Sequence, residues 1–223
     1  LPQKSVHINE LAKELNMSSA KLKKQINQLH ETNPMLGHRG CRLGITAPEI
    51  TIMQTKAILT AALKLKKEQY IIKPEIMIPL VGTKEEFINQ KDIIINTANQ
   101  LFEKHKEKIQ YSIGTMIELP RACMIADQIA LHADFISFGT NDLTQTTFGF
   151  SRDDISSFLP QYIQNNILSH DPFASIDQKG VGQLIKIAIK KAKTINPKIK
   201  IGVCGEHGGD PQSIHFFNKL QFD

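Results

Sequence analysis

Three side chains lie far apart in the sequence yet stand at similar places, each where a short apolar run stops. Glu118 follows YSIGTMI (residues 111–117), Asp142 closes the Gly139-Thr140-Asn141-Asp142 quartet after FISF (135–138), and Cys204 follows IKIGV (199–203). Two carboxylates without a cluster of thiols or imidazoles suit Mg2+ or Mn2+, which take hard oxygen ligands and leave positions open for substrate oxygens. Cys204 opens the loop Gly205-Glu206-His207-Gly208-Gly209, where a neighbouring acid and imidazole can tune a thiol as proton donor or acceptor. Zinc held by Cys204 and His207 is the weaker idea, because third and fourth ligands at the usual spacings are missing. Gly139 lets a ligand approach the backbone closely, while Thr140 and Asn141 offer neutral hydrogen bonds. In NPMLGHRGCRLG (33–44), Arg39 or Arg42 can grip an anion through two parallel hydrogen bonds.

Taken singly, each of these residues has an ordinary explanation. Glu118 suits a helix start ahead of Pro120, Asn141 or Asp142 an N-cap, Cys204 a small buried hydrophobe, and the arginines a solvated surface. Position argues otherwise. The apolar runs at 75–81, 111–117, 135–138 and 199–203 read as buried strands, and each is separated from the next by a helical pattern. Pro48 opens a helix to about Lys67. Thr83 and Glu86 form a capping box for a helix to about Glu107, Pro120 starts one to about Leu131, Val181 to Ile195 is helical, and Asp210 with Pro211 begins the last. Strands alternating with helices form a parallel sheet, and in such sheets ligands bind at the strands' carboxyl ends, so Glu118, Asp142 and Cys204 converge on one rim. The segment at 33–44 is too glycine-rich for a helix and reads as a loop with a brief, weak strand near Arg39. Residues 151–179 form a long, polar, irregular insertion of the kind that shapes a site. Residues 1–32 read as a peripheral helical segment: His7 to Leu15, then Ser18 to His30 with a basic outer face and Leu22, Ile26 and Leu29 inside.

With 223 residues, 41% hydrophobic and 22% charged, the chain can bury one large core. No apolar run approaches the roughly 20 residues a bilayer span needs, and the first residues lack a signal-peptide layout, so a cytoplasmic protein without membrane attachment is expected. The net charge of +5 comes from scattered lysines with no interleaved aromatics, a pattern of solvated helix faces rather than a nucleic-acid footprint. Three cysteines are too few and too separated for a disulfide framework, and Cys41 and Cys123 are assigned to packing.

The motifs NPMLGHRGCRLG, SIGTMIELPRA, FGTNDLTQTTFGFSRDD and VCGEHGGDP, in that order, resemble the phosphoenolpyruvate-binding barrel of the pyruvate, phosphate dikinase family, PEP-utilising enzymes related to phosphoenolpyruvate synthase and to enzyme I of the sugar phosphotransferase system. The resemblance runs from Asn33 to the last residue. It implies an α/β fold, an incomplete (β/α)8 TIM-type barrel holding about strands three to seven over residues 33–223. It implies Glu118 and Asp142 as Mg2+ ligands, and Asn141 with the Gly139-Thr140 backbone on phosphoryl or carboxylate oxygens. Arg152 and Arg39 become anion contacts, and Cys204 the acid/base. The implied activity is interconversion of pyruvate and phosphoenolpyruvate through a Mg2+-stabilised enolate, with phosphate delivered from a phosphohistidine. The parent reaction converts ATP, pyruvate and phosphate to AMP, phosphoenolpyruvate and diphosphate, in an intact enzyme expected to be a homodimer. The ATP-binding and phosphohistidine domains of that pattern, two early barrel strands with their arginines and the eighth strand are not in this sequence. Two rivals stand beside this reading: a Mg2+-dependent lyase working through a pyruvate enolate on the same kind of barrel, and an inactive truncated remnant.

Overall fold

The computed structural model describes residues 4–28 and 34–223, and the chain divides into two compact units, Leu1–His38 and Arg39–Asp223. In the first, helices α1 (Ser5–Glu14) and α2 (Ser19–Gln28) bury Ile8, Ala12 and Leu22 against each other. Leu29 and His30, expected to continue this pair, and Asn33 lie outside the described residues.

The second unit begins with α3 (Cys41–Thr46) and α4 (Pro48–Lys67), then alternates: β1 (Glu75–Ile78), α5 (Lys84–His105), β2 (Ser112–Ile117), α6 (Pro120–Met124), α7 (Ala126–Ala130), β3 (Phe135–Gly139), α8 (Thr140–Phe148), α9 (Leu159–Gln164), α10 (Val181–Ile195), β4 (Lys200–Cys204) and α11 (Pro211–Lys219). The weak strand expected near Arg39 is a helix instead. Gly40, with φ of 57°, turns the chain, and Cys41 then starts a short helical run despite the glycines around it. Among the described residues, four strands therefore form the sheet, not five. All are parallel, in the order β1-β2-β3-β4.

Local chemistry sets the helix boundaries. The Thr83 hydroxyl accepts from the Glu86 N–H at 3.1 Å while the Glu86 carboxylate accepts from the Thr83 N–H at 2.9 Å, the reciprocal pattern that starts α5. Asp210 accepts from the Ser213 N–H at 2.8 Å and Pro211 fills the first turn of α11. The helix expected from Pro120 to about Leu131 is interrupted at Ile125, giving α6 and α7. The 151–179 insertion is more ordered than its polarity suggests. It holds α9 and packs Ile155, Leu159 and Phe173 into a small apolar cluster of its own.

Because side chains alternate along a strand, the sheet has two unlike faces. One carries Ile76, Ile78, Ile113, Ile117, Ile136, Phe138 and Ile201, which join α7 and α10 in the main core. The other carries Met77, Gly114, Met116, Ser137, Gly202 and, at the last level, Glu118, Gly139 and Cys204. The sheet curves toward that second face: Lys200 at the start of β4 donates to Glu75 at the start of β1 at 2.9 Å, although these are the two edge strands. Among the described residues, no helix is long and apolar enough to cross a membrane.

Candidate functional site

The rim is built by register. Ile117 pairs with Phe138, and Gly139 pairs with Cys204, so Glu118, Gly139 and Cys204 occupy one level on three adjacent strands, on the face the helices leave free. Gly139 is required there. A Cβ at this position would run into the Glu118 side chain, 2.8 Å from its Cβ and closer still to its carboxylate. The glycine thus makes room for the acid.

Glu118 is only 3% exposed. Its Oε1 accepts the Leu80 N–H at 2.5 Å, and Leu80 is itself buried with a left-handed φ of 62°. A branched residue in that region is strained, and the strain aims one backbone donor at the acid. Burial pushes the Glu118 carboxyl up to about 7; the Leu80 hydrogen bond opposes this, and the facing Asp142 carboxylate adds to it. Asp142, in the first turn of α8, is bound by the Arg39 guanidinium and by Gln145 Nε2 at 3.4 Å. Cys41 N–H to the Pro79 carbonyl at 3.1 Å, with its thiol on the Leu80 carbonyl at 3.3 Å, fixes the chain beside Arg39. One strained loop therefore positions both the acid and the arginine.

Cys204 is half-buried, its thiol 3.5 Å from the Phe138 carbonyl, and burial pushes it up, with the Glu118 charge adding to the effect over the Ser137 hydrogen bond. Asn141 Oδ1 is buried without a partner, an acceptor left open at the rim. Arg152 is held at both ends: its N–H donates to Gln145 Oε1 at 2.9 Å, and its guanidinium grips Glu206. Arg39 and Arg152, expected to hold an anion, are each paired with a carboxylate.

Gln145 and Leu80 were not singled out in the sequence, and Glu206, weighed as a tuner of Cys204, is paired with Arg152 instead. Gln145 had a usable signal, since three residues beyond Asp142 on a helix is a neighbouring position. Leu80 had none, because a left-handed leucine leaves no mark in the sequence. His207, weighed as a zinc ligand and as a tuner of Cys204, has both ring nitrogens occupied elsewhere: Nδ1 lies 2.8 Å from Thr140 Oγ1 and Nε2 2.9 Å from the Pro172 carbonyl. Among the described residues no group of three or more His, Cys, Asp or Glu side chains is arranged to hold a metal ion. Two facing carboxylates remain, one of them nearly dehydrated. That suits a hard cation whose other positions are filled by substrate and water.

A cavity of about 640 Å³ lies elsewhere, beside the edge strand β1 among Gly40, Ile50, Gln54, Met77 and Ile94. Its lining is mostly apolar, and two of its polar groups are paired with each other, Thr51 Oγ1 donating to Gln90 Oε1 at 2.7 Å.

Residues 7–223 match the family described as PEP-utilising enzyme, PEP-binding domain. The chain is 54% identical over 212 residues to pyruvate, phosphate dikinase of Clostridium symbiosum, which covers 95% of this chain and 24% of that protein. It is 51% identical over 216 residues to the chloroplastic pyruvate, phosphate dikinase 1 of Arabidopsis thaliana, covering 97% of this chain and 22% of that one. With pyruvate, phosphate dikinase of Rickettsia bellii the identity is 50% over 224 residues, 100% of this chain and 26% of the relative. The chain spans about a quarter of the length of the curated relatives it matches.

Proposed function

Because the chain belongs to the PEP-binding domain family of the PEP-utilising enzymes, we propose that it carries the site where pyruvate and phosphoenolpyruvate interconvert in a pyruvate, phosphate dikinase. The observation that carries this reading is the shared level of Glu118, Gly139 and Cys204, with Asp142 facing Glu118. Glu118 and Asp142 would hold one Mg2+, which would supply positive charge against the carboxylate and enolate oxygens of a three-carbon ligand. The Asn141 side-chain NH2 would donate to the ligand's oxygens, and its open Oδ1 would accept from a water beside them. Arg39 and Arg152, released from Asp142 and Glu206, neutralise the phosphoryl group, whose transfer needs positioning and cationic neighbours more than covalent help.

Cys204 moves the proton. Its raised pKa keeps the thiol protonated at neutral pH, the form that donates to C3 of the enolate to yield pyruvate; in reverse it takes a methyl proton back. Phosphate would reach the site from a phosphohistidine on another domain, within the parent reaction of ATP, pyruvate and phosphate. The curvature that brings Lys200 to Glu75 supports a segment of a (β/α)8 barrel whose remaining strands would join the edges of β1 and β4. Mg2+-dependent exchange of pyruvate methyl protons with deuterium tests the proposal. Exchange well above a Cys204→Ala control is expected, and none above it overturns the reading.

A further inference from the structure

His207 is completely buried, yet nothing assigned to the reaction uses it. Its Nε2 faces the Pro172 carbonyl, which can only accept, so Nε2 carries the proton and Nδ1 accepts from the Thr140 hydroxyl. Burial holds the ring below its ordinary pKa, outweighing the pull of Pro172, Asp210, Glu206 and Asp171, and so keeps it neutral. The Thr140 hydroxyl has a single hydrogen. Committed to Nδ1 at 2.8 Å, it leaves the Cys204 carbonyl, 3.4 Å away, without that bond. The same oxygen packs against Gly205, where a Cβ would come within 2.9 Å of Thr140 Oγ1 and 3.3 Å of Asn141 Oδ1. One knot therefore joins the residues directly after the thiol to the residue directly before Asn141 and Asp142.

We propose that His207 is a positioning residue of the candidate site: by holding the Thr140 hydroxyl and the Pro172 carbonyl together, it sets the spacing between the Cys204 thiol and the Asn141–Asp142 pair and ties the 151–179 insertion to that spacing. Without the imidazole, the Thr140 hydroxyl turns to the Cys204 carbonyl and drags the thiol's strand end with it. The inference rests on the proposed function for its kinetic consequence but not for the link itself.

Two substitutions separate the two bonds. His207→Asn keeps an acceptor near the Nδ1 position for Thr140, whereas His207→Gln keeps a donor near the Nε2 position for Pro172. In pyruvate methyl exchange, His207→Gln is expected to lower kcat about tenfold with KM within about twofold, because small misplacements act on the reacting geometry rather than on binding. His207→Asn restores most of that rate, and Thr140→Val added to His207→Gln costs nothing further, since both remove one link. Equal losses in the two variants, or losses that track melting temperature, overturn the proposal. Amide hydrogen exchange reads the same link without chemistry: His207→Gln accelerates exchange at Asn141 and Gly205, His207→Asn that at Ala174 to Ile176. The same amides responding to both variants also overturns it. Absence of methyl exchange in the unsubstituted chain sinks the proposed function alone, because the amide pattern still decides the role of His207.

Discussion

The two faces of the one sheet divide the work. On the helix-covered side, Ile117, Ile136, Phe138 and Ile201 are 0% exposed and share a single core; one residue away along the same strands stand Glu118, Ser137, Gly139, Gly202 and Cys204. Branched and aromatic side chains fill the first face because burial there rewards volume. Toward the carboxyl end of the second, Ser137, Gly139 and Gly202 are small, and Gly139 leaves the room that the Glu118 carboxylate occupies. Stability is concentrated on one face, and the groups that cost stability are gathered on the other, with Glu118 the costliest of them.

The difference is easiest to break on the covered face. Phe138→Ala should cost about 3–5 kcal/mol, seen as a lower urea midpoint, since the cavity opens where packing is complete. The rim should behave in the opposite sense. Glu118 is raised from 4.5 to about 7, so its stabilising contribution is complete below 4.5 and is lost as pH rises through about 7. At roughly 1.4 kcal/mol per pH unit, Glu118→Gln should raise stability at pH 8 by on the order of 1–3 kcal/mol in metal-free buffer. The same substitution should abolish the rise in melting temperature that Mg2+ gives the unsubstituted chain. A Glu118→Gln chain that melts lower without Mg2+ would break the contrast between the faces.

Acid should sharpen it further. The buried His207 is held below its ordinary 6.5, so the unfolded chain takes up that proton first, and stability, full above 6.5, declines as pH falls through the lowered value. Asp210, kept at about 2 by the hydroxyl and N–H of Ser213 and the hydroxyl of Ser175, adds a second decline between its ordinary 3.8 and about 2. In a Glu118→Gln background, which removes the opposing Glu118 titration over the same window, urea midpoints across pH should show two steps, the upper one flattened by adding His207→Asn and the lower one reduced by adding Ser175→Ala. The smallest effect belongs to the exposed Arg152–Glu206 pair. Glu206→Gln should change stability by less than about 1 kcal/mol, while freeing Arg152 to bind inorganic phosphate roughly 2–5-fold more tightly by calorimetry.

The strands, the capping box of α5 and the proline-led helices were legible because each is written locally, in period, cap and turn residues. The carboxyl-end placement of Glu118, Asp142 and Cys204 followed from alternation alone. The helix at Cys41–Thr46 was not legible: its glycines argue for a loop, and the Cys41 bonds to Pro79 and Leu80 that anchor its start join residues almost forty positions apart. The pairing of both candidate anion-binding arginines with carboxylates was likewise hidden, as Arg39 meets Asp142 across 103 positions and Arg152 meets Glu206 across 54.

The sequence by itself determined which side chains stand where strands end, and hence the kind of chemistry available, because period and punctuation are properties of neighbouring residues. Only the tertiary structure decided that Gly139 makes space for Glu118, that a left-handed Leu80 aims a donor at it, and that His207 serves Thr140 and Pro172. Each of those facts depends on the distance between elements, which register and curvature fix and no local stretch of chain encodes.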